Sequence, residues 1–160
     1  MHRKMVEIYT DGTSIGNPGN GAYAVLVLLN GKEIILAKGF KKTTNNRMEL
    51  MAVVEALNFL KNNELQYAII FTDSMLIYKA VNDAWIEKWI LNGWKTSNKT
   101  SVQNIDLWEK LHYFLNFVRA KIEWVESHKG NKYNEMVDKI AKKKAQTDPI
   151  EIDFEYERRG

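Results

Sequence analysis

The sequence predicts an α/β fold built on a mixed sheet, and three observations carry that reading. Residues 5–11, 22–29 and 32–42 read as consecutive strands, the last two joined by Asn30-Gly31, a strong hairpin signal between apolar runs. Two further strand-like runs, 66–73 and 120–125, are separated by helical periodicity, an order that suggests crossovers to parallel neighbours. A chain of 160 residues with 45% hydrophobic content is one ordinary domain able to bury a full core.

The first strand carries Ile8-Tyr9-Thr10 and stops at Asp11, and a turn rich in Gly, Asn and Pro follows through Gly19. A side chain ending a strand is held by the sheet yet faces the loop side, where a scaffold presents ligands. The plainer reading is that Asp11 only starts the turn. Residues 22–29 are apolar throughout, and Ile34, Ile35 and Leu36 lie inside the third strand. Thr43-Thr44-Asn45-Asn46 leads into a helix whose stripe is Leu50, Val53, Val54, Leu57 and Leu60. Asn46 is its expected N-cap, and Glu49 sits three residues on, as a capping box requires.

The fourth strand holds Ala68-Ile69-Ile70-Phe71 and ends on Asp73, with a short helix over 74–81. In 83–103, Trp85, Trp89 and Trp94 fall within ten positions and Gly93 breaks the pattern, so a short helix and a loop are expected. Residues 104–118 form an amphipathic helix, with Trp108, Leu111, Leu115 and Val118 on one face. The last core strand contains Ile122 and Trp124. After a loop, Asn134 is the expected cap of a helix reaching about Ala145, with Val137, Ile140 and Ala141 inward. Beyond Pro149 the chain alternates strictly. Ile150, Ile152, Phe154 and Tyr156 then share one face of a docked strand, or the tail is acidic and untethered. Both readings stand. The expected division is residues 1–147 as the catalytic domain and 148–160 as a tail.

Composition excludes several classes. Without cysteine there is no disulfide framework and no thiolate metal site, which fits a reducing compartment and a cytoplasmic location. No apolar run reaches the roughly 18 residues a membrane span needs, and the first residues carry no signal-type apolar region. A net charge of +3 permits a nucleic-acid partner.

Four carboxylates stand out by position: Asp11, Glu49, Asp73 and Asp138. Each has a plain structural reading: a turn, a capping box, the N-cap of the helix beginning at Ser74, and a pair with Lys142 four residues on. Together, two strand ends and two helix faces could converge on one edge of the sheet. Crowded carboxylates repel unless a cation neutralises them. Oxygen ligands without cysteine or a histidine cluster favour magnesium or manganese, and such ions in pairs suit in-line phosphoryl chemistry.

At these residues the chain resembles the type 1 ribonucleases H of the bacterial ribonuclease HI kind. The matching stretches are Tyr9-Thr10-Asp11-Gly12 with Gly16-Asn17-Pro18-Gly19, Thr43 to Leu50, Thr72-Asp73-Ser74, Gly93-Trp94-Lys95-Thr96, Asn104 to Trp108, and Trp124-Val125 through His128 to Asp138. The resemblance covers roughly residues 5–146. It implies a five-stranded mixed sheet flanked by helices, three strands antiparallel and two parallel. It implies that Asp11, Glu49, Asp73 and Asp138 hold two magnesium ions, for which manganese can substitute. The implied reaction is hydrolysis of the RNA strand of an RNA–DNA hybrid, leaving 5′-phosphate and 3′-hydroxyl ends. His128 matches a loop histidine that handles protons or assists product departure. Asn17, Asn45 and Asn46 match contacts to 2′-hydroxyls; Lys42, Thr44 and Asn104 match a pocket for a DNA-strand phosphate. Trp85 matches an aromatic lying against a DNA sugar, while Trp89 and Trp108 are read as core. The hybrid duplex is the expected partner and a monomer the expected state.

Two departures are visible. Met75 stands where many relatives have Gln, and Ile90-Leu91-Asn92 stands where a basic run is usual in the protrusion. Lysines instead gather at Lys129, Lys132, Lys139 and 142–144. The rival readings are another two-metal nuclease on the same fold, or a module that grips hybrids without cutting.

Overall fold

The computed structural model describes residues 5–127 and 129–159, with Arg159 described in its backbone only. Its elements are β1 (Val6–Ile15), β2 (Gly19–Leu29), β3 (Lys32–Thr43), α1 (Asn45–Asn62), β4 (Tyr67–Thr72), α2 (Met75–Asn82), α3 (Trp85–Leu91), α4 (Ile105–Leu115), β5 (Arg119–Trp124), α5 (Lys132–Thr147), β6 (Pro149–Ile152) and α6 (Phe154–Arg159). One sheet runs in the order β5-β4-β1-β2-β3-β6. The β1-β2-β3 meander is antiparallel, and β4 and β5 join it in parallel. These are the five expected strands. The sixth, β6, comes from the tail and pairs in parallel with β3.

Alternation along the strands splits the core into two layers. Val6 and Ile8 of β1, with Tyr23, Val25 and Val27 of β2, face α1 and α4 in the larger cluster. Tyr9, Ala24 and Leu26 face the other way, onto Val137 and Ala141 of α5. The apolar stripe of α1 is fully buried at Leu50, Val53, Leu57 and Leu60. No described helix is long and apolar enough to cross a membrane.

Helix starts depart from expectation. Thr44, not Asn46, caps α1, its side chain accepting from the Arg47 amide. Three residues after this cap stands Arg47, so Glu49 belongs to no capping box. Ser74, not Asp73, caps α2 by accepting from the Ile77 amide, and Asn131, not Asn134, caps α5. In each case a neighbouring side chain reaches the free amides of the first turn, which leaves Glu49 and Asp73 with no capping role.

The tail adds a strand to the sheet edge, as one of the two expectations has it, but its apolar residues do not dock there. Only 149–152 is a strand, and Ile150, Ile152 and Phe154 are exposed. The group that docks is Asp153, 3% exposed. Its carboxylate accepts from Arg47 Nε at 2.6 Å, Arg47 Nη2 at 2.9 Å and Thr43 Oγ1 at 2.7 Å. The crossing requires Gly39 in β3, where a Cβ would lie 2.1 Å from the Asp148 carbonyl oxygen.

Candidate active site

Asp11 lies inside a strand, not at its end. β1 continues to Ile15 against β2, but its parallel pairing with β4 stops at Tyr9–Phe71. Thr10 covers that parting by donating from Oγ1 to the Phe71 carbonyl at 3.0 Å. Where the two strands separate, the β4 side of β1 opens, and the Asp11 side chain stands in the gap beside Asp73, which follows the end of β4. Glu49 comes from the first turns of α1. Its helix is drawn close because Gly12 has no side chain: a Cβ there would lie 2.2 Å from the Glu49 amide nitrogen.

Asp11, Glu49 and Asp73 each bring a carboxylate oxygen within 4.8 Å of the other two. Asp11 and Glu49 are buried, and Asp73 is half-buried. Burial pushes the Asp11 carboxyl up to about 7, with the charges of Asp73 and Asp138 acting in the same direction. Burial first, then Asp11 and Asp73, holds Glu49 well above the ordinary carboxylate range. Asp73 is raised for the same leading reason, tempered by a hydrogen bond from Ser127. Glu49 Oε2 is buried with no hydrogen-bond partner among the described residues. A buried carboxylate oxygen left unmatched beside two others is unfavourable in the chain alone. The donor set is all hard oxygen, which fits a divalent cation of the magnesium or manganese type.

Asp138 lies close enough to interact with Asp11 and Asp73, yet its Oδ2 also pairs with Lys142 Nζ at 3.0 Å. The structure therefore brings three of the four carboxylates into one cluster and sets the fourth beside it, tied to a lysine. His128 lies outside the described residues.

Four of the expected substrate contacts, Asn17, Thr44, Asn46 and Asn104, share one cavity. This cavity, of about 400 Å³, is lined by Asn17, Thr44, Asn46, Gln103, Asn104 and Tyr156, with Pro18 at its edge. Asn17 Oδ1 accepts from the Asn45 amide, Thr44 Oγ1 from the Arg47 amide, and Asn104 Oδ1 from Arg47 Nη1. Each side chain thus spends an acceptor on the protein and keeps its N–H or O–H donors. Lys42 is exposed at the end of β3, in left-handed backbone. Trp85 lines a second cavity of about 430 Å³ with Lys88, Trp89, Asn92 and Lys95. Trp108 is core, and Trp89 packs edge-on against it at 5.2 Å while half-buried. Trp124, at the end of the last core strand, is 39% exposed and donates from Nε1 to the Asp73 carbonyl.

Sequence reasoning missed Ser127 and Trp124 as supports of Asp73, and Gln103 and Tyr156 as cavity walls. Only their places beside named motifs could have pointed to the first three; nothing local marks Tyr156.

The ribonuclease H family profile matches residues 3–146. The chain is 42% identical to the ribonuclease H of Nitratidesulfovibrio vulgaris over 98% of its own length and 99% of that protein. It is also 42% identical to the ribonuclease H of Escherichia coli K12, over 92% and 94%. Among solved structures it resembles LC9-RNase H1, a type 1 RNase H with the type 2 active-site motif, at TM-score 0.77 and 26% identity over 91% of this chain and 74% of that one. It shares the fold of part of a foamy viral protease-reverse transcriptase solved with an RNA/DNA hybrid, at TM-score 0.78 and 20% identity over 91% of this chain and 20% of that one.

Proposed function

The chain belongs to the ribonuclease H family, hydrolases that cut the RNA strand of RNA–DNA hybrids, and from that premise we propose a two-metal-ion mechanism leaving 5′-phosphate and 3′-hydroxyl ends. Asp11, Glu49, Asp73 and Asp138 are the proposed ligands. The observation that carries this reading is the unmatched, buried Glu49 Oε2 within a cluster of three carboxylates. Bound magnesium, or manganese in its place, supplies Lewis-acid activation of water and charge neutralisation at the leaving 3′ oxygen.

The chain's own residues do the rest. Asp11 is held by the sheet and Glu49 by α1, so neither carboxylate must be reoriented as substrate arrives. Asp138 completes the set when its pairing with Lys142 yields. His128 moves a proton at the reacting phosphate or eases product departure. Asn17, Asn45 and Asn46 offer amides to 2′-hydroxyls, which both donate and accept, and so tell RNA from DNA. Thr44 and Asn104, in the donor-lined cavity, hold a DNA-strand phosphate together with Lys42, and Trp85 lies against a DNA sugar. The reading carries with it a monomer acting in the cytoplasm.

The test is digestion of a hybrid labelled on each strand, with magnesium or with chelator, mapping the cut strand and its ends. Cutting of the RNA strand alone, dependent on added metal and leaving 5′-phosphates, is expected. Equal cutting in chelator, or 3′-phosphate ends, overturns the mechanism.

A further inference from the structure

The tail crosses the sheet edge, is pinned by Asp153, and then turns into α6. That turn is fixed: the Tyr156 amide bonds back to Asp153 Oδ1 at 3.4 Å. The result is that Tyr156, from the last few residues, forms one wall of the cavity whose other walls are Asn17, Thr44, Asn46 and Asn104, on β1–β2, α1 and α4. Its hydroxyl has no hydrogen-bond partner among the described residues.

The electrostatics of this cavity are unusual for one assigned to a phosphate. Arg47 stands behind it, but its charge is already spent on two carboxylates, Asp106 and Asp153. No carboxylate lines the cavity itself. Within the cavity a phosphate therefore meets neutral donors, the hydroxyl of Thr44 and the amide of Asn104, with the N-terminus of the eighteen-residue α1 behind them and Lys42 as the cation assigned to it above. One more O–H on the same phosphate changes the affinity measurably.

We infer that Tyr156 donates a hydrogen bond to the DNA-strand phosphate in this cavity, which makes the tail a wall of the substrate site as well as a structural strap. The inference rests on the phosphate reading given above for Thr44 and Asn104. Tyrosine hydroxyls are ordinary phosphate donors at nucleic-acid interfaces. The same geometry makes Asp153 a positioning residue for Tyr156, since the carboxylate that holds Arg47 also fixes the turn beneath the phenol.

The experiment compares Tyr156→Phe with Thr44→Ala on the full chain, well below the melting midpoint of each. Substrates are an unmodified hybrid and a set with one methylphosphonate, which is neutral, stepped along the DNA strand. Tyr156→Phe should raise KM about tenfold with kcat changed less than about twofold, the size of one hydrogen bond to a charged acceptor. That penalty should disappear when the methylphosphonate occupies the one position where Thr44→Ala also loses its effect. If Thr44→Ala raises KM and Tyr156→Phe does not, Tyr156 is no ligand and the inference is wrong. If the Tyr156→Phe penalty persists at every methylphosphonate position, Tyr156 acts through the fold, and the inference is equally wrong. If Thr44→Ala leaves KM unchanged at every position, the phosphate reading of the cavity fails first.

Discussion

Arg47 and Glu49 stand two residues apart on α1, both buried, and the protein treats their charges in opposite ways. Arg47 directs its guanidinium to Asp153 through Nε and Nη2, to Asp106 through Nη1 and Nη2, and to Asn104 through Nη1. Burial works against that charge, yet the two carboxylates more than offset it and hold the group above its ordinary value. Glu49 faces two further carboxylates and has an oxygen with no hydrogen-bond partner among the described residues. One buried charge is completed by the chain and belongs to the architecture. The other is left incomplete, which is tolerable only where something outside the chain completes it.

The strongest attack on this contrast is Asp11→Asn. It removes one carboxylate of the cluster, and metal-supported turnover should fall on the order of 10³-fold, since several kcal/mol of charge stabilisation is lost at about 1.4 kcal/mol per decade. Hybrid binding in calcium should survive, and the metal-free melting temperature should rise. Near-normal turnover in magnesium would remove the metal assignment. At the other charge, Asp153→Ala leaves Arg47 with one carboxylate fewer and should cost about 3–5 kcal/mol in denaturant unfolding. An unchanged midpoint would mean that the Arg47 cluster is not the completed one.

The pH dependence sharpens the comparison further. Asp11 has its proton affinity raised from 3.8 to about 7 in the folded chain. Between those values the native state binds more protons than the unfolded one, so metal-free stability should fall as pH rises from about 4 to about 7, with the raised Glu49 and Asp73 carboxyls acting in the same direction. Saturating magnesium should flatten the fall; a metal-free chain whose melting temperature rises over that range would contradict the raised cluster. The smallest expected effect concerns where hybrid is gripped. Lys142 and Lys144 are paired with Asp138 and Asp148, whereas Lys95, Lys99, Lys129 and Lys132 are exposed. Replacing Lys129 and Lys132 by Ala should reduce the log–log salt slope of calcium-supported binding by about 0.9 for each phosphate no longer neutralised. A flattening confined to the Lys95/Lys99→Ala pair would return the grip to the protrusion.

Much of the fold was legible because period-2 and helical patterns report burial directly: the meander, the α1 stripe and the parallel strands all follow from them. Asp11, Glu49 and Asp73 stood out by their places near strand ends and a helix start, although each also had a plain local reading, and the resemblance tipped the balance. That Asp11 sits within β1 was not, because the site is made by the divergence of β4, a property of two strands rather than one. The caps are hard to place from sequence because neighbouring Thr and Asn side chains compete for the same amides, and only backbone geometry decides. The apolar alternation of the tail points to an apolar docking face, but its anchor is a polar residue whose partner lies 106 positions away. Such a pairing leaves no local trace.

Gly39 has a consequence for how the protein behaves in a crowd. Because β6 can cross there, the outer side of β3 is paired at Gly39, Phe40 and Lys41. The rest of that side offers unpaired backbone flanked by Lys32, Glu33 and Lys38, charges that discourage a second sheet from adding on. Ile35, half-exposed among them, is the weak point. A side chain at Gly39 would push β6 away and lengthen the bare edge, so Gly39→Ala converts a folding defect into a template for strand-by-strand aggregation. The tail thus covers part of a sheet edge that would otherwise be open to pairing.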